Sequence, residues 1–205
     1  MKKIALAIIL AFSLQLSAVS CFAAEKSILL DDFEVDVSSG PQGTVDFGAG
    51  NGSSVEVTAD KDTKNSGDQS IKVVYNAVKG GYMYVARGSG LDAKNANWLI
   101  KPEDIKWEDF SAISFYMYGT NSKAQIAFDI KDNGFEIWRY IVTDDFTGWK
   151  KIVCSFDKFV VRSDWQPQNA DNNGNIDYPI KVFQFEPMAE SEGTLYFDTV
   201  ELVKG

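Results

Sequence analysis

The sequence predicts an all-β fold, a single two-sheet β-sandwich of jelly-roll type. Three observations carry that expectation. Short runs rich in β-branched and aromatic residues recur along the chain, several with strict apolar–polar alternation. Clusters of Gly, Asn and Asp separate them. Helical signals are few, which favours sheet packed on sheet over alternating strands and helices.

The first 23 residues read as a secretory signal peptide. Lys2 and Lys3 give a positive start, residues 4–16 form an apolar run too short for a comfortable membrane span, and small residues lead into Cys21-Phe22-Ala23-Ala24. Cleavage after Ala23 or Ala24 is expected. Ala18-Val19-Ser20-Cys21 also resembles a loose lipoprotein box, in which a lipidated Cys21 would become the new N-terminus. Both routes export the chain, to a secreted or periplasmic location. A membrane enters only through a lipid on Cys21.

Residues 24–205 then form one domain, with strands expected at 27–34, 54–59, 70–76, 81–87, 112–118, 124–131, 135–142, 150–156, 180–186 and 195–203. In the fifth, Ile113, Phe115 and Met117 share one face, and Ser114, Tyr116 and Tyr118 the other. In the sixth, Ile126, Phe128 and Ile130 oppose Gln125, Ala127 and Asp129. In the ninth, Phe183 and Phe185 oppose Val182, Gln184 and Glu186. In EIWRY, placing Trp138 and Tyr140 inside and Arg139 outside wastes the least apolar area. Asp132-Asn133-Gly134 signals a hairpin. Residues 40–52 read as a glycine-rich loop or irregular edge, 101–105 as one helical turn, and 166–178 as a long polar loop.

Composition narrows the function. The 205 residues hold 20 basic and 29 acidic side chains and no histidine. With Lys2 and Lys3 removed, 18 basic face 29 acidic residues, a net charge of −11. An acidic exported chain suits neutral ligands and calcium, and not nucleic acid or anionic lipid. The lack of histidine removes histidine-based zinc sites, Ser-His-Asp triads and histidine general bases. Of the two cysteines only Cys154 is certain to survive processing, so no internal disulfide is expected.

The strongest functional signal is FVVRSDWQPQ, residues 159–168. It sets Arg162, Asp164 and Trp165 within four positions, and Pro167 stops the run. A guanidinium and a carboxylate form paired hydrogen bonds with vicinal hydroxyls, and an indole stacks on the apolar face of a pyranose. Asp129, Arg139, Gln184 and Glu186 join it as a polar sheet face, along with Tyr116 and Tyr118 if their strand is a neighbour. The alternative is an ordinary solvated face. In Gly80-Gly81-Tyr82-Met83-Tyr84, Tyr82 is either a sugar platform or a partner in cross-strand aromatic packing.

The chain ends carry a second constellation. LLDDFE at 29–34 and LYFDTVEL at 195–202 place carboxylates among apolar strand residues. If the first and last strands pair, Asp31 or Asp32 and Glu34 approach Asp198, and a calcium ion would relieve their repulsion. The alternative is acids facing solvent at strand edges.

The chain resembles family 11 carbohydrate-binding modules, within the galactose-binding-domain-like jelly rolls. The likeness runs through LLDDFE, GDQSIKVVYN at 67–76, GGYMYV at 80–85, SAISFYMYG at 111–119, EIWRY at 136–140, GWKKIVCSFDKF at 148–159, RSDWQPQ at 162–168 and LYFDTVEL. The resemblance implies a non-catalytic module that binds β-glucan in a groove across one sheet, with structural calcium. By position it makes Arg162, Asp164, Trp165 and Tyr82 ligand contacts. Residues 35–52 lack a tyrosine that the family places there, the loop 131–135 is shorter, and Phe185-Glu186-Pro187 stands where another groove tyrosine belongs. The expected function is therefore polysaccharide binding by a monomer. The rivals are a jelly-roll protein-interaction or assembly domain and, further off, a glycoside hydrolase built from two of Asp129, Glu136, Asp164 and Glu186.

Overall fold

The computed structural model describes residues 27–204. Twelve strands form two antiparallel sheets. They are β1 (Ser27–Asp31), β2 (Asp46–Gly50), β3 (Ser54–Asp60), β4 (Ser70–Ala77), β5 (Tyr82–Gly88), β6 (Ala112–Thr120), β7 (Gln125–Lys131), β8 (Ile137–Thr143), β9 (Thr147–Ser155), β10 (Val160–Val161), β11 (Val182–Pro187) and β12 (Ser191–Val203). One sheet runs β3-β4-β12-β6-β9, with β1 also pairing with β12; the other runs β10-β8-β7-β11-β5-β2. The first and last strands do pair, Ser27 opposite Val203. The signal-peptide segment and Cys21 lie outside the described residues. No helix among the described residues is long and apolar enough to cross a membrane.

The alternation read from the sequence faces the two sheets together. Ile113, Phe115, Met117, Ile126, Phe128, Phe183, Phe185 and Phe197 are all buried between the layers. Phe185 of β11 stacks on Phe197 of β12 at 3.8 Å between ring centroids, joining the layers at the centre. Dense aromatic packing of this kind holds each sheet in one register, because a one-residue slip would turn these rings to solvent. Trp138 is buried, Tyr140 packs against the core, and Arg139 faces out.

Three local features differ from expectation. The glycine-rich stretch contains a strand, β2, paired with β5 along its length. Val160 and Val161 form a two-residue strand on β8. Tyr116 and Tyr118 lie on β6, in the sheet opposite Asp129 and Arg139, so they do not join that polar face. Alternation fixes which residues share a face of one strand, and says nothing about which sheet the strand joins.

Candidate functional site

The outward face of the six-stranded sheet β10-β8-β7-β11-β5-β2 is built by register. Arg139 sits opposite Val160 on one side and Asp129 on the other. Asp129 sits opposite Gln184, Gln184 opposite Ala86, and Ala86 opposite Asp46. This row crosses the whole sheet. Over it lies a groove of about 650 Å³, walled by Tyr82 and Tyr84 of β5, by Leu91 and Asp92 after it, and by Arg162, Asp164, Trp165 and Pro167 after β10.

An ion network fills one half of the floor. Asp129 takes Arg139 in a two-pronged contact, Nε to Oδ1 and Nη2 to Oδ2, both 2.8 Å. Arg139 also donates to Glu186 at 2.9 Å. Arg162 donates to Glu186 at 2.7 Å, to Asp129 at 3.3 Å, and to both oxygens of Asp164 at 3.0 Å. Gln184 completes the set with a bond to Glu186 at 3.2 Å. Burial opposes the charge on Arg139, but hydrogen bonds and attraction from Asp129 outweigh it and push the guanidinium further up. The hydrogen bonds from Arg162 hold the Asp164 carboxyl below the usual range.

The network gives each expected residue a distinct place. Asp129 is 1% exposed, and its oxygens are spent on the two arginines, so it holds the floor of the groove. Arg162 is 9% exposed and braces the loop from below. Its guanidinium carbon lies 5.9 Å from the Trp165 ring centre, a cation supporting the indole from beneath. Trp165 itself is 57% exposed at the groove wall. Asp164 stands open beside it, its side chain 60% exposed.

Gln166 explains how the loop keeps this posture. Its amide accepts from the Ile137 N–H and donates to the Ile137 carbonyl, both at 2.8 Å, and donates to the Arg162 carbonyl at 2.9 Å. The side chain thus pairs with β8 as a strand residue would. Sequence reading placed Gln166 in the motif without a role, because an amide that mimics a strand leaves no periodic trace.

Tyr84 and Lys131, which the sequence did not single out, also line the groove. Tyr84 lies inward of Tyr82, its hydroxyl 3.4 Å from Asp46 Oδ1. Lys131, opposite Val182 on β11, is half-buried, and burial pushes its ammonium below the ordinary lysine value.

The carboxylates on which the calcium expectation rests have partners within the protein. The chain ends converge as anticipated, yet their carboxylates are taken by N–H donors. Asp198 accepts from the backbone N–H groups of Asn65 and Ser66 at 2.8 and 3.0 Å. Glu34 accepts from Asp68 N–H at 3.0 Å, and Asp32 from Glu34 N–H at 3.1 Å. Asp31 is paired with Arg87 at 2.5 Å. The loop 65–69 thus bridges the acids where a cation was expected. Among the described residues no group of three His, Cys, Asp or Glu is placed to hold a metal ion.

Comparisons with known proteins bear on this site. The family model described as carbohydrate binding domain (family 11) matches residues 17–205. Among solved structures, a family 11 carbohydrate-binding module from Clostridium thermocellum, in complex with a β-1,3-1,4-mixed-linked tetrasaccharide, is 25% identical. That match has a TM-score of 0.70 and covers 89% of this chain and 98% of the other. The family 11 module of the cellulosomal cellulase Lic26A-Cel5E of the same organism is 22% identical, with a TM-score of 0.67 and coverage of 89% and 97%. A family 30 module of cellulase Cel9D-Cel44B, again from Clostridium thermocellum, shares the fold at 14% identity and a TM-score of 0.57, over 87% of this chain and 98% of that one. No curated protein matches the chain.

Proposed function

The chain belongs to the family 11 carbohydrate-binding domains, and from that premise we propose that its groove holds a chain of β-linked glucose, mixed-linked β-1,3-1,4-glucan above all. The observation that carries the reading is Trp165, an indole left open at the wall of a groove and braced by a buried arginine. Exposed large rings are costly in water, and a pyranose offers the flat apolar face that covers one. Asp164 beside the ring offers oxygens to the sugar hydroxyls. The similar module from Clostridium thermocellum, which holds a mixed-linked tetrasaccharide, supports the choice of glucan.

The module is non-catalytic. The acids of the groove fit that statement. Hydrolysis needs one carboxyl able to give a proton and a second free to attack or to activate water. Asp129 and Glu186 are instead held by Arg139 and Arg162, and Arg162 keeps Asp164 ionised.

The proposal includes export, since residues 1–23 carry a leader pattern. It also includes action as a monomer, because the elements of one copy line the groove. Affinity electrophoresis of the domain in gels containing mixed-linked glucan, cellulose derivatives, xylan or galactan tests the reading. Retardation by mixed-linked glucan is expected. Free migration in both β-glucan gels would overturn it.

A further inference from the structure

We infer that Lys131 is a specificity-determining contact on the groove floor: its ammonium donates to a sugar hydroxyl, and the open carboxylate of Asp92 accepts that hydroxyl's own hydrogen bond. This inference rests on the glucan reading above and adds to it a charged donor that is free to bond a sugar.

The ladder isolates the ammonium. Lys131 follows Asp129 by two positions on β7, so both side chains point outward, about 7 Å apart along the strand. Across the sheet Lys131 stands between Ile137 of β8 and Val182 of β11, and beyond Val182 comes Gly88. This row offers no acceptor, only two buried aliphatic side chains and a bare glycine. In the neighbouring network the cations are paired. Arg139 holds Asp129 and Glu186, and Arg162 holds Asp164, Glu186 and Asp129. Among the described residues the Lys131 ammonium has neither an ion pair nor a hydrogen-bond acceptor. Lys181, close by, is turned to the Phe135 ring, 5.4 Å from its centre. Burial lowers the proton affinity of Lys131, the more distant Asp46 and Asp92 raise it, and Lys181 lowers it further. A half-buried ammonium with three unspent N–H groups is costly until an oxygen is brought to it.

The surrounding charge selects the oxygen. Asp46, Asp92, Asp164 and Glu186 line the same groove, so a uronate or a phosphate would meet their repulsion. A hydroxyl is neutral and carries both a lone pair and a proton. Asp46 is already engaged by the Tyr84 hydroxyl and the Asp92 N–H. Asp92 is exposed, and among the described residues nothing donates to its carboxylate, so it is the acid free to complete the pair. A lysine that merely covered Ile137 and Val182 would need its stem and not its charge.

Calorimetry with mixed-linked glucan hexasaccharide tests the contact, using the parent, Lys131→Met and Asp92→Ala, each with a thermal melt. Lys131→Met keeps the stem and removes only the charge. Its affinity should fall about tenfold, and that of Asp92→Ala about fivefold. The Tm of Lys131→Met should be unchanged or higher, because a half-buried charge has gone. In the parent, labelled with isotope at lysine, the ε-methylene signals of Lys131 should shift when the hexasaccharide binds, while those of Lys72 on the opposite sheet stay in place. Binding within about twofold of the parent in either variant, or an unmoved Lys131 signal, overturns the contact and leaves the glucan reading standing. A parent that does not bind the hexasaccharide overturns both.

Discussion

Replacing Trp165 with alanine should weaken glucan binding without unfolding the domain. Of the roughly 250 Å² that an indole can bury, the 57% exposure of Trp165 leaves about 140 Å² open. A pyranose covers one face, about half of that, or ~70 Å². At ~25 cal/mol per Å² the contact contributes about 1.8 kcal/mol. Ordering of the bound chain offsets part of it. The net loss is about 1–1.5 kcal/mol, or about five- to thirteenfold in Kd. Arg162 remains held by Asp164, Glu186 and Asp129 when the ring is gone, so stability should change by less than about 0.5 kcal/mol, as for other exposed positions. Calorimetry with a mixed-linked hexasaccharide and a thermal melt measure the two effects separately, and Trp165→Tyr should restore most of the affinity. Equal binding by Trp165→Ala and the parent would refute the reasoning. So would a fall in stability as large as the loss of affinity.

Other consequences follow from groups behind the groove and at the chain ends. Asp129→Ala leaves Arg139 and Arg162 facing each other with Glu186 and Asp164 as their remaining anions, and should cost about 3–5 kcal/mol in denaturant unfolding. Asp144, fully buried, accepts from the N–H groups of Thr120, Asn121 and Ser122 and from two hydroxyls. Asp144→Ala should cost roughly 2–4 kcal/mol of stability while glucan affinity stays at the parent value. Burial opposes the Asp144 charge, but the bonds from Ser122 and Thr120 outweigh it and hold the carboxyl below its ordinary value of 3.8. Its contribution is therefore complete above that value and is lost as pH falls through the lower folded-state value. Acid unfolding curves of parent and Asp144→Ala should converge only there, and convergence nearer neutrality would contradict the assignment. Because N–H donors already occupy Asp32, Glu34 and Asp198, excess EDTA should leave the Tm unchanged, and a rise of several degrees on adding calcium would show that this loop rearranges around a cation.

The sandwich could be read from the sequence because its core positions alternate with polar ones. Ile113, Phe115 and Met117 had only one way to face, and the fold follows from many such runs. The Arg162–Trp165 loop was visible for the opposite reason: its residues fit no packing period. What stayed hidden depends on contacts between distant segments. β2 escaped notice because Gly48 and Gly50 have no side chains to alternate, and their meaning appears only when Tyr82 and Tyr84 lie across them. Tyr116 and Tyr118 could join the polar face only if their strand were its neighbour, and parity within β6 does not say which sheet receives it. Asp129 reads as an outward acid, yet its role is decided by Arg139 directly across the ladder. The strands at the chain ends do pair, but the N–H groups that meet Asp198 and Glu34 belong to the loop 65–69, whose sequence carries no sign of that task.

A crystal structure of the domain with a mixed-linked glucan hexasaccharide tests the central claim most directly. The account expects a glucose ring stacked on the Trp165 indole at van der Waals distance, about 4 Å, with Asp164 on its hydroxyls and the chain running toward β5. Sugar found instead on the opposite sheet, where Tyr118 packs edge-on against Trp149 and Tyr196, with the Trp165 face bare, would contradict it.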